Sequence, residues 1–196
     1  MEDNNELYFI PMPTQDPNIP YLDWHEDEDD SIFFDGDPVK VKSPISLILG
    51  EPEPHKPNMV DYHTLPEPVV SDKIKNILES LDISGIQYIP AKIQVGKEML
   101  DYWYLYINNR IGDCIDIAKS NLDIDEDGDI MGIEKIILDN DKINKIPLAN
   151  RLVFKFREFN LYEVFHKSLV DEIMAHAPEG IKFWSLLEWD KSTYFK

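Results

Sequence analysis

The chain has 196 residues, of which 43% are hydrophobic and 11% aromatic, a composition that excludes a disordered polymer and suffices for one ordinary domain. It contains 38 acidic and 19 basic residues, so its formal net charge is -19. A surface this acidic repels phosphate groups, which argues against direct binding to nucleic acid or to a membrane and favours a basic partner.

The acidic residues are concentrated at the beginning of the chain. Residues 1–37 contain 12 Asp and Glu residues and no Lys or Arg. An acidic run is usually a solvated loop, and this is the simpler interpretation of residues 26–30. Trp24 favours a binding role, because an aromatic ring among carboxylates suits a basic protein surface. The candidate partner-binding residues are Asp23, Trp24, Glu26, Asp27, Glu28, Asp29 and Asp30.

Strand-like residues and prolines alternate over the first third of the chain. Residues 7–10 and 31–34 have strand composition, and residues 35–38 read as a hairpin turn leading into residues 39–41. Six of the 14 prolines lie between residues 43 and 68, a density that predicts an extended connector without a helix or a central strand. We predict an acidic, proline-rich N-terminal portion, residues 1–65, packed on a body of residues 66–196 within one structural domain.

The body is predicted to mix helices and strands. Ser71 precedes a helix with apolar residues at positions 74, 77, 78 and 81, and residues 86–89 follow as a strand. The same order recurs where Ser168 caps a helix with Leu169, Ile173 and Met174 in its stripe, followed by a strand at residues 181–184. Residues 93–95, 102–107, 133–138 and 151–156 also have strand composition, although residues 133–138 could form a short helix. The predicted class is α+β: a mixed, mainly antiparallel sheet, two helix-then-strand units and a strand- and loop-rich N-terminal portion.

Residues 123–134 match the spacing of an EF-hand calcium loop. The pattern places carboxylates at its first, third, fifth and twelfth positions, in Asp123, Asp125, Asp127 and Glu134, with Gly128 at the sixth. An EF-hand also needs a long amphipathic helix before the loop, and residues 116–121 offer about one turn. The favoured alternative is a hairpin that turns at Asp127 and Gly128. Calcium binding stays open as the second interpretation.

No arrangement typical of a catalytic site is present in the sequence. The five histidines show no paired ligand spacing, and there is no glycine-rich phosphate loop or nucleophile elbow. The single cysteine, Cys114, lies among apolar residues and is expected to be buried rather than nucleophilic. The sequence therefore predicts a protein that is not an enzyme and that needs no cofactor.

The sequence shows neither a membrane span nor an export signal. No apolar run approaches the roughly 18 to 20 residues that cross a bilayer. The first residues are acidic, whereas a secretory signal begins with basic residues. A lone cysteine is typical of a reducing compartment. We expect a cytoplasmic protein.

Short motifs spread over residues 30–185 resemble the immunity protein eleven family of bacterial polymorphic toxin systems. In chain order they are VVSDKI (69–74), GIQYIP (85–90), YLYIN (104–108), DIAKS (116–120), IEKIILD (133–139) and GIKF (180–183). The resemblance implies a non-enzymatic antidote that binds a cognate toxin and occludes its active site. It also implies a strand-turn-strand at residues 123–134. The toxin-contacting residues of the family vary, so it transfers no site residue to this chain.

Three hypotheses for the function follow, in order of preference. The first is an immunity protein that neutralises a basic protein toxin by direct binding. A nuclease is the favoured toxin, because nucleases need positive clefts for phosphate and an acidic inhibitor gains association rate from the opposite field. The second is a calcium-responsive binding module that uses residues 123–134. The third is an enzyme of unrecognised type that acts on a cationic substrate.

Overall fold

A computed structural model describes residues 3–195 of the chain. Within them the helices are α1 (Asn4–Leu7), α2 (Asp72–Ser80), α3 (Asn140–Ile143) and α4 (Lys167–Ala175), with short 3-10 helices at Asp30–Phe33, Leu148–Asn150 and Lys191–Phe195. The strands are β1 (Tyr8–Pro13), β2 (Leu22–Trp24), β3 (Ile45–Leu49), β4 (Tyr62–His63), β5 (Val69–Val70), β6 (Ile86–Val95), β7 (Glu98–Ile107), β8 (Arg110–Ile111), β9 (Asn121–Ile124), β10 (Ile130–Lys135), β11 (Val153–Phe156), β12 (Glu163–His166) and β13 (Ile181–Ser185). The predicted α+β class with mainly antiparallel sheets is confirmed.

The larger sheet has six strands in the order β2-β3-β6-β7-β5-β4. Its centre is the long hairpin of β6 and β7, which pair in register from Ile86 and Ile107 to Val95 and Glu98. Strand β3 runs parallel to β6, and the other pairs are antiparallel. The strands predicted at residues 86–89, 93–95 and 102–107 are therefore parts of one hairpin.

The second sheet has five strands in the order β13-β1-β12-β11-β8. Strand β1 lies between β12 and β13 and is antiparallel to both. Strand β8 pairs with β11 in parallel. The sheet thus joins the beginning of the chain to its last strands.

Helices α2 and α4 pack against each other in a core shared by both sheets. Their buried residues recur three and four positions apart, as expected for an amphipathic helix. These residues are Ile74, Ile77 and Leu78 of α2 and Leu169, Val170 and Ile173 of α4. They contact Val70 and Leu105 of the larger sheet and Phe165 of the smaller one. Full burial of each such side chain contributes about 1.5 to 3 kcal/mol.

A buried ion cluster lies beside this apolar core. Lys155 on β11 is only 4% exposed, and its Nζ atom lies 2.9 Å from Glu163 Oε1 on β12 and 2.6 Å from Glu67 Oε2 before β5. Burial disfavours the ammonium charge, but the two carboxylates outweigh that effect and raise the pKa of Lys155. The cluster therefore connects the two sheets through charged groups that are largely hidden from water.

The helix starts differ in part from the prediction. Ser71 is the N-cap residue of α2, but its hydroxyl donates to Asp61 Oδ1 at 2.8 Å instead of capping the helix. The predicted cap of α4 at Ser168 is wrong, because His166 is the N-cap residue and its Nδ1 accepts from the Ser168 amide at 3.2 Å. Met174 is exposed and does not belong to the apolar stripe of α4. The two predicted helix-then-strand units are otherwise present, as α2 with β6 and α4 with β13.

Two predictions for the N-terminal portion are wrong. Residues 31–33 belong to a 3-10 helix, Asp30–Phe33, and Phe34 is its C-cap residue, so no strand forms at residues 31–34 and residues 35–38 are not a hairpin turn. Residues 45–49 form β3, which lies inside the larger sheet although a central strand was not expected there. The reason is that Pro44 and Pro52 flank this strand and leave its own amide groups free to pair.

Residues before position 65 contribute to both sheets. They supply β1 to the smaller sheet and β2, β3 and β4 to the larger one. A division of the chain into residues 1–65 and 66–196 stays a prediction. Glu2, one of the 12 acidic residues counted above, lies outside the described residues. Among the described helices, none has the length and apolar character needed to cross a bilayer.

Candidate functional site

The predicted partner-binding residues begin on an edge strand. Strand β2 pairs with β3 and lies at the end of the larger sheet. Leu22 points into the core beneath β3, whereas Asp23 is exposed. We call residues 23–37, from this strand through the 3-10 helix to the turn that follows, the acidic segment.

Hydrogen bonds hold the acidic segment on the sheet. The backbone amide of His25 donates to the Ser46 carbonyl of β3 at 3.1 Å, and the Ser46 amide donates to Glu28 Oε1 at 2.8 Å. Asp29 caps the 3-10 helix, because its Oδ1 accepts from the Ser31 amide at 3.2 Å. Glu28 and Asp29 therefore shape the segment in addition to carrying charge.

Trp24 serves partly as a core residue. Its ring stacks on that of Phe33, with 5.7 Å between the centroids, and meets the edge of Tyr104 at 5.6 Å. Phe33 is buried and also contacts Tyr106. These aromatic contacts fix the 3-10 helix against the sheet. A role for the half-buried Trp24 toward a partner stays a prediction.

The acidic segment presents six exposed carboxylates, and Arg110 is a base whose side chain packs against it, at Gly36. Its exposed carboxylates are Asp23, Glu26, Asp27, Asp29, Asp35 and Asp37. Within residues 3–195, none of these six forms an ion pair with Lys or Arg; Asp27 lies 3.5 Å from His25 Nδ1. The segment is therefore a source of unbalanced negative field.

Two apolar side chains of this surface escaped the sequence prediction. Ile32 is 45% exposed and Phe34 is 58% exposed, on either side of the buried Phe33. The strand composition of residues 31–34 gave no sign of this exposure, because a strand there would have buried alternate residues. The capping pair Asp29 and Ser31 was the signal for a helical turn.

Residues 121–135 form the predicted hairpin. Strands β9 and β10 pair antiparallel as a separate two-stranded sheet. In the turn, Asp125 Oδ1 accepts from the backbone amides of Asp127 at 3.0 Å and Asp129 at 2.9 Å. Glu134 lies along β10 and pairs with Lys191 at 3.0 Å. Residues 3–195 contain no group of three or more His, Cys, Asp or Glu side chains placed to hold a metal ion.

Titration calorimetry with calcium tests the second interpretation of residues 123–134. Because the turn already uses Asp125 and an ion pair uses Glu134, we expect no heat of calcium binding in the micromolar range. Heat that is present in the wild-type protein and lost in Asp123→Ala would instead establish a calcium site. Asp101→Ala, an exposed carboxylate on β7, is the control for a general loss of charge.

Cys114 is buried, as predicted. It is a free cysteine that is 1% exposed, and burial raises the pKa of its thiol to about 12. A thiol of this kind is almost entirely protonated at neutral pH and is a poor nucleophile. Its packing among Ile111, Ile115 and Phe156 gives it a structural role.

The chain is an α+β protein that displays an anchored, strongly acidic surface segment with exposed apolar side chains. A family model described as the immunity protein family Imm11 matches residues 10–188, and the chain belongs to that family. The resemblance seen in the sequence motifs is thereby confirmed. No curated protein matches the chain. Membership supports an immunity function and implies a cognate toxin as partner.

Proposed function

We propose that this protein neutralises a basic toxin by direct, non-catalytic binding through the acidic segment. The observation that carries the proposal is the group of exposed carboxylates that form no ion pair with Lys or Arg among the described residues, held on the sheet beside exposed Ile32 and Phe34. Charge complementarity favours a cationic partner. A nuclease fits best, since its active site must attract phosphate and an acidic surface can occupy the same cleft. The place of action is then the cytoplasm, and no cofactor takes part.

The two kinds of side chain have different tasks in this proposal. The carboxylates accelerate encounter with the toxin, because long-range attraction raises association rates above the level reached without steering. Phe34 and Ile32 supply apolar surface that is removed from water when the complex forms. This burial slows dissociation. Anchoring by Glu28 and Asp29 reduces the conformational entropy lost on binding.

Association kinetics test this surface directly. The ligand is the polypeptide encoded by the reading frame next to this one, immobilised as a catalytically inactive variant. We expect the triple substitution Glu26→Gln, Asp27→Asn and Asp29→Asn to slow association by about tenfold at low salt and by less at high salt. Asn at position 29 still caps the 3-10 helix, so the fold is retained.

A second triple variant provides the matched control. Glu126→Gln, Asp127→Asn and Asp129→Asn remove the same three charges from the turn of the β9–β10 hairpin. An equal loss of association rate in both triple variants would show that net charge alone matters. An unchanged association rate in the acidic-segment variant would exclude that segment as the binding surface. Titration of the active toxin tests the mechanism, since binding requires one equivalent for full inhibition whereas a catalyst needs far less.

A further inference from the structure

A cavity of about 510 Å³ opens beside the acidic segment. It lies between the loop that joins β1 to β2, strand β4 and Gly180 before β13. The loop is held at its beginning and near its middle, because the Thr14 amide donates to the Gly180 carbonyl at 3.0 Å and the Asn58 amide to the Asn18 carbonyl at 2.7 Å. The cavity is thus built by segments that are far apart in the chain.

Asp16 gives the cavity a permanent negative charge. Its Oδ1 accepts hydrogen bonds from the Asn18 backbone amide at 2.8 Å and from Asn18 Nδ2 at 3.0 Å. The backbone hydrogen bond is the main reason why the pKa of Asp16 is lowered. No Lys or Arg belongs to the described lining, so the carboxylate has no basic counterpart there.

His63 forms a buried, uncharged part of the cavity wall. The side chain is 3% exposed, and burial lowers its pKa to about 4, so the ring is neutral at pH 7. Its Nδ1 lies 3.3 Å from the Pro20 carbonyl, which can only accept, so Nδ1 carries the proton and Nε2 is a lone pair. Among the described residues Nε2 has no hydrogen-bond partner. This nitrogen has almost no accessible surface, so it does not meet a ligand in the cavity, and His63 contributes only a neutral wall.

The lining suits a flat cation rich in N–H groups. It combines the Asp16 carboxylate and the His63 ring with apolar Pro13, Pro17 and Pro20. The exposed Tyr21 ring provides an aromatic surface at the rim. A guanidinium group is planar, always charged, carries five donors and stacks on aromatic rings, whereas an ammonium is compact and strongly hydrated.

We propose that this cavity receives the guanidinium group of an arginine side chain of the toxin. The proposal rests on the proposed function for the identity of the partner. Tyr21 directly precedes β2, and the acidic segment begins at the second residue of that strand, so roughly 7 Å of extended chain separates the two. A typical protein interface buries about 800 Å² on each partner and covers both. Arginine is also prominent among the residues that dominate binding energy.

Binding of N-acetyl-L-arginine amide to this protein alone tests the chemistry of the cavity. We expect the probe to shift the NMR signals of the Thr14, Asp16 and Thr64 amides. The citrulline analogue, which has the same shape without the charge, should shift none of them. Asp16→Asn keeps an acceptor for the Asn18 amide but removes the charge, and should weaken binding by about tenfold or more. Asp123→Asn, a distant exposed carboxylate, should bind as the wild type does.

The toxin experiment separates this proposal from the proposed function. Asp16→Asn should accelerate dissociation of the toxin by about tenfold, whereas the acidic-segment triple changes mainly association. Unchanged toxin dissociation in Asp16→Asn, or an arginine probe that shifts none of the three amides, overturns the cavity proposal and leaves the proposed function standing. If the wild-type protein binds no toxin, the proposed function fails, and the probe still decides whether the cavity takes a guanidinium group.

Discussion

Replacing Lys155 with Met is expected to lower the free energy of unfolding by about 3 to 5 kcal/mol. The substitution keeps most of the side-chain volume but leaves Glu163 and Glu67 with negative charges that no cation balances. Glu163 is itself buried, so water cannot replace the lost partner. A large loss is therefore expected even though the intact cluster contributes little compared with an apolar core.

The same cluster predicts how stability depends on pH. The pKa of Lys155 is raised above its usual 10.5 in the folded protein. A raised pKa means that the stabilisation is complete below the unfolded-state pKa and is lost as the pH rises through the folded-state pKa. Between neutral pH and values above 10.5, the wild-type protein should therefore lose more stability than Lys155→Met does.

Chemical denaturation of Lys155→Met beside Lys92→Met measures the effect. Lys92 Nζ lies 2.5 Å from Asp101 Oδ1, but the Lys92 side chain is 42% exposed. We expect this surface variant to lose less than about 1 kcal/mol. Equal losses in the two variants would mean that burial of the ion cluster has no energetic consequence.

Replacing Gly180 with Ala is expected to lower the free energy of unfolding by about 2 to 5 kcal/mol. Gly180 has a φ of +91°, a conformation that side chains with a Cβ rarely adopt. A Cβ at this position would also lie 2.3 Å from Val60 Cγ2 and 2.6 Å from the Tyr62 carbonyl oxygen. Because the second contact is with backbone, a change of rotamer cannot relieve it.

Gly96→Ala separates the two causes of this loss. Gly96 also has a positive φ, +60°, at the turn of the β6–β7 hairpin, but a Cβ there would meet nothing within 4 Å. Its cost is therefore backbone strain alone, about 1 to 2 kcal/mol. Thermal unfolding of both variants provides the comparison. A loss of stability in Gly180→Ala no larger than that in Gly96→Ala would show that Val60 and Tyr62 move to accommodate the new Cβ.

Much of the fold could be predicted because its signals are local. The apolar spacing of α2 and α4, the β-branched and aromatic residues of β6 and β7, and the Asp-Gly turn after β9 each depend on neighbours in the chain. The strand at residues 45–49 could not be placed, because its position depends on pairing with β2 and β6. The 3-10 helix at residues 30–33 was mistaken for a strand because composition outweighed the cap formed by Asp29.

The candidate surface was accessible to prediction only in part. The run of carboxylates is visible as composition, but the exposure of Phe34 results from the packing of Phe33 under Trp24. The cavity was missed entirely, since Asp16, His63 and Gly180 approach one another only in the folded protein. Hydrophobic periodicity in a single sequence predicts local structure and does not show which distant residues come into contact.

The position of β1 between β12 and β13 has a consequence for the timing of protection. During translation β1 leaves the ribosome well before β12 and β13, which lie about 150 residues or more further along the chain. The nascent chain therefore carries an unpaired β-strand edge until these later strands are made, and pairings between distant segments form slowly. Under the proposed function, we expect a cell that makes this protein together with its toxin to need a reserve of folded protein before the toxin becomes active.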